Sequence, residues 1–110
     1  MKSPVYEVIN LLTTAFRKKY PDFQGLYLFG QFLDGKNHDG EDIELVAIFD
    51  SEDKSKREEI WQIIGKIETE KDVFIDLYPY TIEEFKKDED LYREVMEEGL
   101  FFNAQGEMQD

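Results

Sequence analysis

The spacing of apolar residues along the chain changes between helical and strand periods. Between Val5 and Tyr20, apolar side chains recur every three or four residues, the spacing that gives a helix one apolar face. Ser3 and Pro4 are typical of a helix start, and Pro21 predicts that the helix ends before it. The first predicted element is therefore an amphipathic helix.

Two short apolar runs follow and predict two strands. Residues 26–29 are apolar or aromatic and lie between Gly25 and Gly30, which indicates a buried strand. Residues 42–49 form the second run. The segment 34–41 contains two Asp-Gly pairs and few side chains that could be buried, so we predict a loop that joins the two strands.

A second amphipathic helix is predicted after this pair of strands. Ser55 and Glu58 are spaced as a capping box at its start. Isoleucine then recurs at helical spacing from Ile60 to Ile67, and Trp61 is expected to widen the apolar face.

A third strand and two short helices are predicted next. Residues 73–80 form an apolar run that Pro79 is expected to end, because proline cannot donate to a strand ladder. Thr81 and Glu84 are spaced as a further capping box. Asp88 is a candidate cap for the last helix.

The end of the chain completes the predicted fold. Gly99 stands where a left-handed helix end is expected, residues 100–102 suit a short extended piece, and 103–110 read as a flexible polar tail. The order of elements predicts one α/β (α+β) domain over residues 1–102, with a small mixed sheet of three to four strands and helices packed on it.

Composition narrows the class of protein. A chain of 110 residues fits one domain, and 41% hydrophobic residues is too many for a disordered chain. Without cysteine there is no disulfide framework or zinc ribbon, and a cytoplasmic location is expected. The sequence shows neither a signal-peptide pattern nor an apolar run of membrane-spanning length.

The charge of the chain bears on its partners. Lys and Arg number 13 against 26 Asp and Glu, a formal net charge of −13. This balance repels phosphate backbones, so direct binding to nucleic acid is disfavoured. A nucleotide remains compatible with the charge if divalent cations accompany it.

Three acids on two predicted strands are the candidate chemistry. Asp42 and Glu44 share one face of their strand, about 7 Å apart. Asp76 is the only charge in its apolar strand and needs a cation partner. If the two strands pair with these faces aligned, the carboxylates suit Mg²⁺ or Mn²⁺, and one of them can accept a proton from a nucleophile. An equally good interpretation makes Asp42 and Glu44 a solvated strand start.

These residues also carry a family resemblance. The chain has Gly30-Gln31, ten further residues, Asp42-Ile43-Glu44, and then Asp76 in a later strand. This pattern resembles the nucleotidyltransferase fold shared with DNA polymerase beta, and most closely the minimal nucleotidyltransferases of prokaryotes. Gly35 and the segment 92–99 look similar as well, so the resemblance covers most of the chain.

The resemblance implies roles for the acids and for the turn before them. Asp42 and Glu44 would bind Mg²⁺, and Asp76 would complete the metal site and activate the attacking group. Gly30 would belong to a turn that holds a triphosphate. Gln31 stands where the family has serine, and its amide can still donate a hydrogen bond.

Two loop residues modify this expectation. Asp34 stands where many members of the family carry arginine. Lys36 is a candidate phosphate contact that could partly replace that arginine, although a plain surface lysine explains it equally simply. His38, the only histidine, is expected to be a solvated loop residue.

The implied function is transfer of a nucleotidyl group, AMP from ATP, to an acceptor hydroxyl. By resemblance, the acceptor could lie on a helical HEPN-type partner protein of a toxin–antitoxin pair. The alternative is a catalytically lapsed module of the same fold that binds a protein partner or a nucleotide without chemistry. The remaining aromatic residues are expected to be mostly core: Phe16, Tyr20, Phe29, Phe32, Phe74, Tyr78 and Tyr80.

Overall fold

A mixed β-sheet with helices on both faces forms the domain, in a computed structural model that describes residues 4–34, 36, 38 and 40–109. The helices are α1 (Val5–Lys19), α2 (Lys54–Lys71), α3 (Ile82–Lys87) and α4 (Glu89–Glu98), and a short 3₁₀ helix spans Gly30–Asp34. The strands are β1 (Phe23–Phe29), β2 (Asp42–Phe49), β3 (Phe74–Tyr80), β4 (Leu100–Asn103) and β5 (Met108–Gln109).

The strands lie in the order β3-β2-β1-β4-β5. β2 is antiparallel to β1 and parallel to β3, with α2 as the crossover between the parallel pair. The predicted mixed sheet with packed helices is confirmed, but the described residues form five strands rather than three or four. The additional strand, β5, pairs with β4, which is the extended piece predicted after Gly99.

Each face of the sheet has its own hydrophobic core. Leu45 and its neighbours on one face of β2 pack with α1 and α2. Val46 and Ile48 on the other face pack with Phe85 of α3 and Val95 of α4. Because side chains alternate along a strand, the acids at the start of β2 lie on the α3–α4 face.

The helix starts differ in part from the predicted caps. Thr81 and Glu84 form the predicted capping box, with Thr81 N donating to Glu84 Oε1 over 2.9 Å and Glu84 N donating to Thr81 Oγ1 over 3.1 Å. The predicted box at Ser55 is wrong. Asp53 caps α2 instead, because its carboxylate accepts from Lys56 N over 2.8 Å one turn earlier.

The ends of α4 also differ from the predictions. Asp88 is the N-cap residue, but its carboxylate accepts from the Tyr80 hydroxyl over 2.7 Å and makes no capping hydrogen bond. Gly99 is extended rather than left-handed, with φ of −73°. A side chain there would begin 2.6 Å from the carbonyl oxygen of Val95, so close packing explains this glycine. The predicted N-cap Ser3 lies outside the described residues.

Three further predictions are corrected. β3 continues through Pro79 to Tyr80 because β3 is a sheet edge, where a missing N–H can be tolerated. Trp61 is 56% exposed and does not extend the apolar face of α2. The predicted tail 103–110 contains the end of β4 and a hydrogen-bonded turn leading into β5. No helix within the described ranges is long and apolar enough to span a membrane.

Candidate functional site

The parallel register of β2 and β3 brings the three predicted acids to one face of the sheet. Glu44 lies directly opposite Asp76, and Asp42 lies opposite Phe74. Neighbouring strands are about 4.8 Å apart, so Glu44 and Asp76 start from adjacent backbone positions. The pairing on which the carboxylate prediction depended is therefore present.

The donor chemistry of this face suits a hard divalent cation. The side chains are carboxylates, without nitrogen or sulfur donors, which is the set that Mg²⁺ and Mn²⁺ prefer. The described residues nevertheless contain no group of three histidine or acidic side chains that are close enough to hold a metal as they stand. Rotation of the side chains about a fixed backbone would be needed to bring the oxygens together.

Gly30 is fixed beside Glu44 at the end of β1. Its φ is +81°, a left-handed conformation that favours glycine. A Cβ at this position would lie 1.8 Å from Glu44 Oε2, so a side chain here would displace the carboxylate. The glycine thus permits contact between the turn after β1 and an acid of β2.

Negative charge accumulates around Glu44. Burial raises the pKa of Glu44, and the nearby charges of Glu94, Asp76 and Asp42 raise it further. Glu94 belongs to α4 and was not identified as a site residue from the sequence. Its position three residues after Leu91, which packs in the α3–α4 core, was the available signal.

Two aromatic residues lie on either side of Asp76 on the same face of β3. The Tyr78 hydroxyl donates to Asp76 Oδ2 over 3.5 Å, and burial together with the negative charge of Asp76 raises the pKa of Tyr78. Phe74 is 58% exposed, so its assignment to the core is wrong. It remains uncovered because β3 is the edge strand and Phe74 begins it.

A cleft of about 340 Å³ opens beside the acids of β2. Gln31, Asp42 and Glu44 line it together with Gly40 and Glu41. The structure thus joins Gln31 to two of the acids, while Asp76 lies on the next strand and does not line this cleft.

Comparison with known proteins identifies the family. The sequence model described as "Nucleotidyltransferase domain" matches residues 9–102. The chain belongs to the nucleotidyltransferase domain family. A comparison of this nucleotidyltransferase domain with curated protein sequences finds no significant match.

Solved structures share the fold of this nucleotidyltransferase domain. A toxin–antitoxin structure with AMP-PNP matches with a TM-score of 0.61 and 24% identity, over 86% of this chain and 70% of that chain. A complex of tri-AMPylated Shewanella oneidensis HEPN toxin with MNT antitoxin gives 0.57 and 20%, over 91% and 71%. The MntA-HepT toxin–antitoxin structure gives 0.55 and 22%, over 84% and 67%. The domain spans only 66% to 71% of the matched chains in these and a related structure.

In this nucleotidyltransferase domain, Asp34 is occupied by its own loop. Its carboxylate accepts from Lys36 N over 2.8 Å and lies 3.0 Å from His38 Nε2, and these two contacts lower the pKa of Asp34. His38 also packs edge-on against Phe32, with ring centroids 5.2 Å apart, so it is not a freely solvated residue as predicted. Lys36 is exposed, and its backbone rather than its ammonium group makes the hydrogen bond to Asp34.

Proposed function

We propose that this domain binds a nucleoside triphosphate together with Mg²⁺ or Mn²⁺ and transfers a nucleotidyl group, AMP from ATP, to an acceptor hydroxyl. The observation that carries the proposal is the register of β2 and β3, which aligns Glu44 with Asp76 on the face that also carries Asp42. Membership of the nucleotidyltransferase family supports the same reaction class. A cytoplasmic location, expected from the lack of cysteine, belongs to this proposal.

Each predicted site residue has a role in the proposal. Asp42 and Glu44 would hold the metal, which would polarise the phosphate oxygens and neutralise their charge. Asp76 would complete the metal site and accept the proton of the acceptor hydroxyl. Gly30 and Gln31 would bind the triphosphate.

Lys36 is proposed only as an additional phosphate contact. Its exposed position in the loop after the 3₁₀ helix leaves its ammonium group accessible to a ligand at the mouth of the cleft. A lysine there would act as a point charge and not as a bidentate clamp.

The proposed acceptor lies on a partner protein of the HEPN type. One structural neighbour contains an AMPylated HEPN toxin with its MNT antitoxin, and another contains AMP-PNP. The acidic surface of the present chain also suits a protein acceptor better than a nucleic acid, because its net charge is −13.

Nucleotide titration tests the proposal. Thermal shift and calorimetry with ATP, GTP, CTP and UTP, each with and without Mg²⁺ or Mn²⁺, should show metal-dependent binding of one nucleotide. Asp42→Asn should weaken that binding at least tenfold, whereas Glu97→Gln, which removes the same charge from an exposed position of α4, should not. Equal shifts in both variants, or no shift with any nucleotide, would contradict the proposal.

A second candidate function is a binding module of the same fold that performs no chemistry. The glutamine at position 31 favours it, because a larger side chain occupies the cleft where the family's serine is expected. Asp42→Asn separates the two functions. An enzyme would lose turnover, whereas a binding module would keep its affinity for the partner protein.

A further inference from the structure

We propose that Phe74 binds the acceptor, on the side of the acids that faces away from the phosphate-binding turn. The inference rests on the proposed nucleotidyl transfer and adds to it the position and surface chemistry of the second substrate. Four observations support it: the strand order, the register of β3, the exposure of the ring and the charge around it.

The strand order gives the site two distinct sides. Gly30 and Gln31 follow β1, which lies on one side of β2, and Phe74 and Asp76 belong to β3 on the other side. Asp42 and Glu44 on β2 lie between them. A phosphate bound at Gly30 is therefore separated from Phe74 by the width of β2.

The chemistry of the transfer requires opposite sides for the two substrates. The hydroxyl oxygen of the acceptor attacks the α-phosphorus and forms an O–P bond, while the bond from that phosphorus to the bridging oxygen breaks. Pyrophosphate leaves with the bonding electron pair, and the hydroxyl proton passes to the Asp76 carboxylate. Because the attacking and leaving oxygens are roughly in line, pyrophosphate departing toward Gly30 requires an acceptor that approaches from β3.

Phe74 is suited to this approach by position and exposure. It is paired with Asp42 in the register and lies two residues before Asp76, on the same face and about 7 Å away at strand spacing. The ring is 58% exposed, and β3 is the outer strand of the sheet formed by the described residues. Tyr78, at the same spacing beyond Asp76, is partly buried and directs its hydroxyl at Asp76 instead.

The surroundings of Phe74 indicate the chemistry of the acceptor. An exposed phenyl ring offers an apolar face that stacks with another ring or with an aliphatic stem. Asp42, Asp76 and Glu94 supply only negative charge to this region, which disfavours a phosphorylated acceptor and favours a basic one. We therefore expect a hydroxyl carried on a ring or apolar stem within a basic polypeptide segment.

The test measures transfer of labelled AMP to synthetic basic copolymers. The acceptors are poly(Lys,Tyr), which carries ring hydroxyls, and poly(Lys,Ser), which carries hydroxyls without a ring. Wild type, Phe74→Ala and Phe74→Trp are compared with Trp61→Ala. Trp61 is a matched control because it is 56% exposed but lies on α2, against the opposite face of the sheet.

We expect poly(Lys,Tyr) to be labelled better than poly(Lys,Ser). Phe74→Ala should raise the KM for poly(Lys,Tyr) about tenfold and leave nucleotide binding unchanged, Phe74→Trp should restore the KM, and Trp61→Ala should have no effect. An unchanged KM in Phe74→Ala, or metal-dependent nucleotide binding without labelling of either copolymer, would overturn the inference and leave the proposed function standing. Failure of nucleotide binding itself would remove both.

Discussion

At the scale of single residues, three glycines allow strain and steric contact to be separated. Gly30 combines a φ of +81° with a carboxylate at the position of its missing Cβ. Gly40 has a similar φ of +82° but, beyond its chain neighbours, no described atom within 4 Å of a Cβ. Gly65 in α2 has neither a positive φ nor a neighbour within that distance.

Alanine substitutions at these positions should differ in sign and size. Gly30→Ala should lower the free energy of unfolding by about 2–3 kcal/mol, from left-handed strain plus displacement of Glu44. Gly40→Ala should cost about 1 kcal/mol, and Gly65→Ala should stabilise by about 0.5–1 kcal/mol because alanine favours a helix. Urea unfolding measures all three. Equal losses for Gly30→Ala and Gly40→Ala would show that the contact with Glu44 is unimportant.

Glu52 is a buried acid without a hydrogen-bond partner among the described residues. Both of its carboxylate oxygens are inaccessible to solvent. Burial raises the pKa of Glu52 from 4.5 to about 7, despite the opposing positive charges of Lys56 and Arg57. The folded protein therefore binds a proton here more tightly than the unfolded chain does.

This burial predicts a loss of stability with rising pH. The contribution of Glu52 is fully present below about pH 4.5 and is lost as the pH rises to about 7. The free energy of unfolding should fall by about 2 kcal/mol over this window, and Glu52→Gln should flatten the fall. Unfolding of both proteins in urea between pH 4.5 and 7.5 measures the difference. Parallel pH profiles would show that Glu52 gains solvent or a partner in solution.

At the scale of elements, one lysine joins three segments. Lys56 of α2 lies with its Nζ 2.6 Å from Asp22 Oδ2, 2.8 Å from the carbonyl oxygen of Ser51 and 4.4 Å from the centre of the Phe49 ring. Burial alone would raise the pKa of Asp22, but the hydrogen bonds from Lys56 and Ser51 N lower it overall. The pair fixes the start of α2 to the segment before β1 and to the end of β2.

Removal of this carboxylate charge should be costly. Asp22→Asn should lower the free energy of unfolding by about 2–4 kcal/mol, because it leaves the charge of Lys56 buried without its counterion. Asp90→Asn provides the control, since Asp90 and Arg93 form an exposed pair and should contribute nothing measurable. Similar small changes in both variants, measured by urea unfolding, would contradict the structural role of Lys56.

Local patterns predicted most elements because their causes are local. Residues 42–49 alternate or run apolar between turn residues, and β2 has those bounds. The cap of α2 could not be chosen, because Asp53 and Ser55 are both good cap residues two positions apart. β5 has no apolar pattern of its own and exists by backbone pairing with β4.

The candidate site was predictable only as far as it follows strand alternation. Alternation put Asp42 and Glu44 on one face, and the lone charge of Asp76 marked the partner strand. Glu94 depends on how α4 docks on the sheet, and the exposure of Phe74 depends on which strand is the edge. Both are tertiary properties that the pattern along the chain does not contain.

At the scale of the whole molecule, a net charge of −13 makes stability sensitive to ions. Both NaCl and MgCl₂ should raise the melting temperature by screening repulsion among the acids. At equal ionic strength, Mg²⁺ should add a further increase if it binds the acids of β2 specifically.

Paired double variants separate these two effects. Asp42→Asn with Glu44→Gln should abolish the excess effect of Mg²⁺ over NaCl. Glu97→Gln with Glu98→Gln removes the same charge from exposed positions of α4 and should retain that excess. Melting curves at matched ionic strength decide the matter, and an equal Mg²⁺ effect in both double variants would argue against a specific cation site.

The crossover from β2 through α2 to β3 also orders events during synthesis. Asp76 leaves the ribosome about 30 residues after Glu44, a delay of roughly 2–6 s at ordinary elongation rates. Until α2 has folded back and β3 has paired, the nascent chain holds Asp42 and Glu44 without their partner acid. The three carboxylates therefore assemble only in a domain that has completed its parallel strand pair, and a chain stalled within α2 cannot form the proposed site.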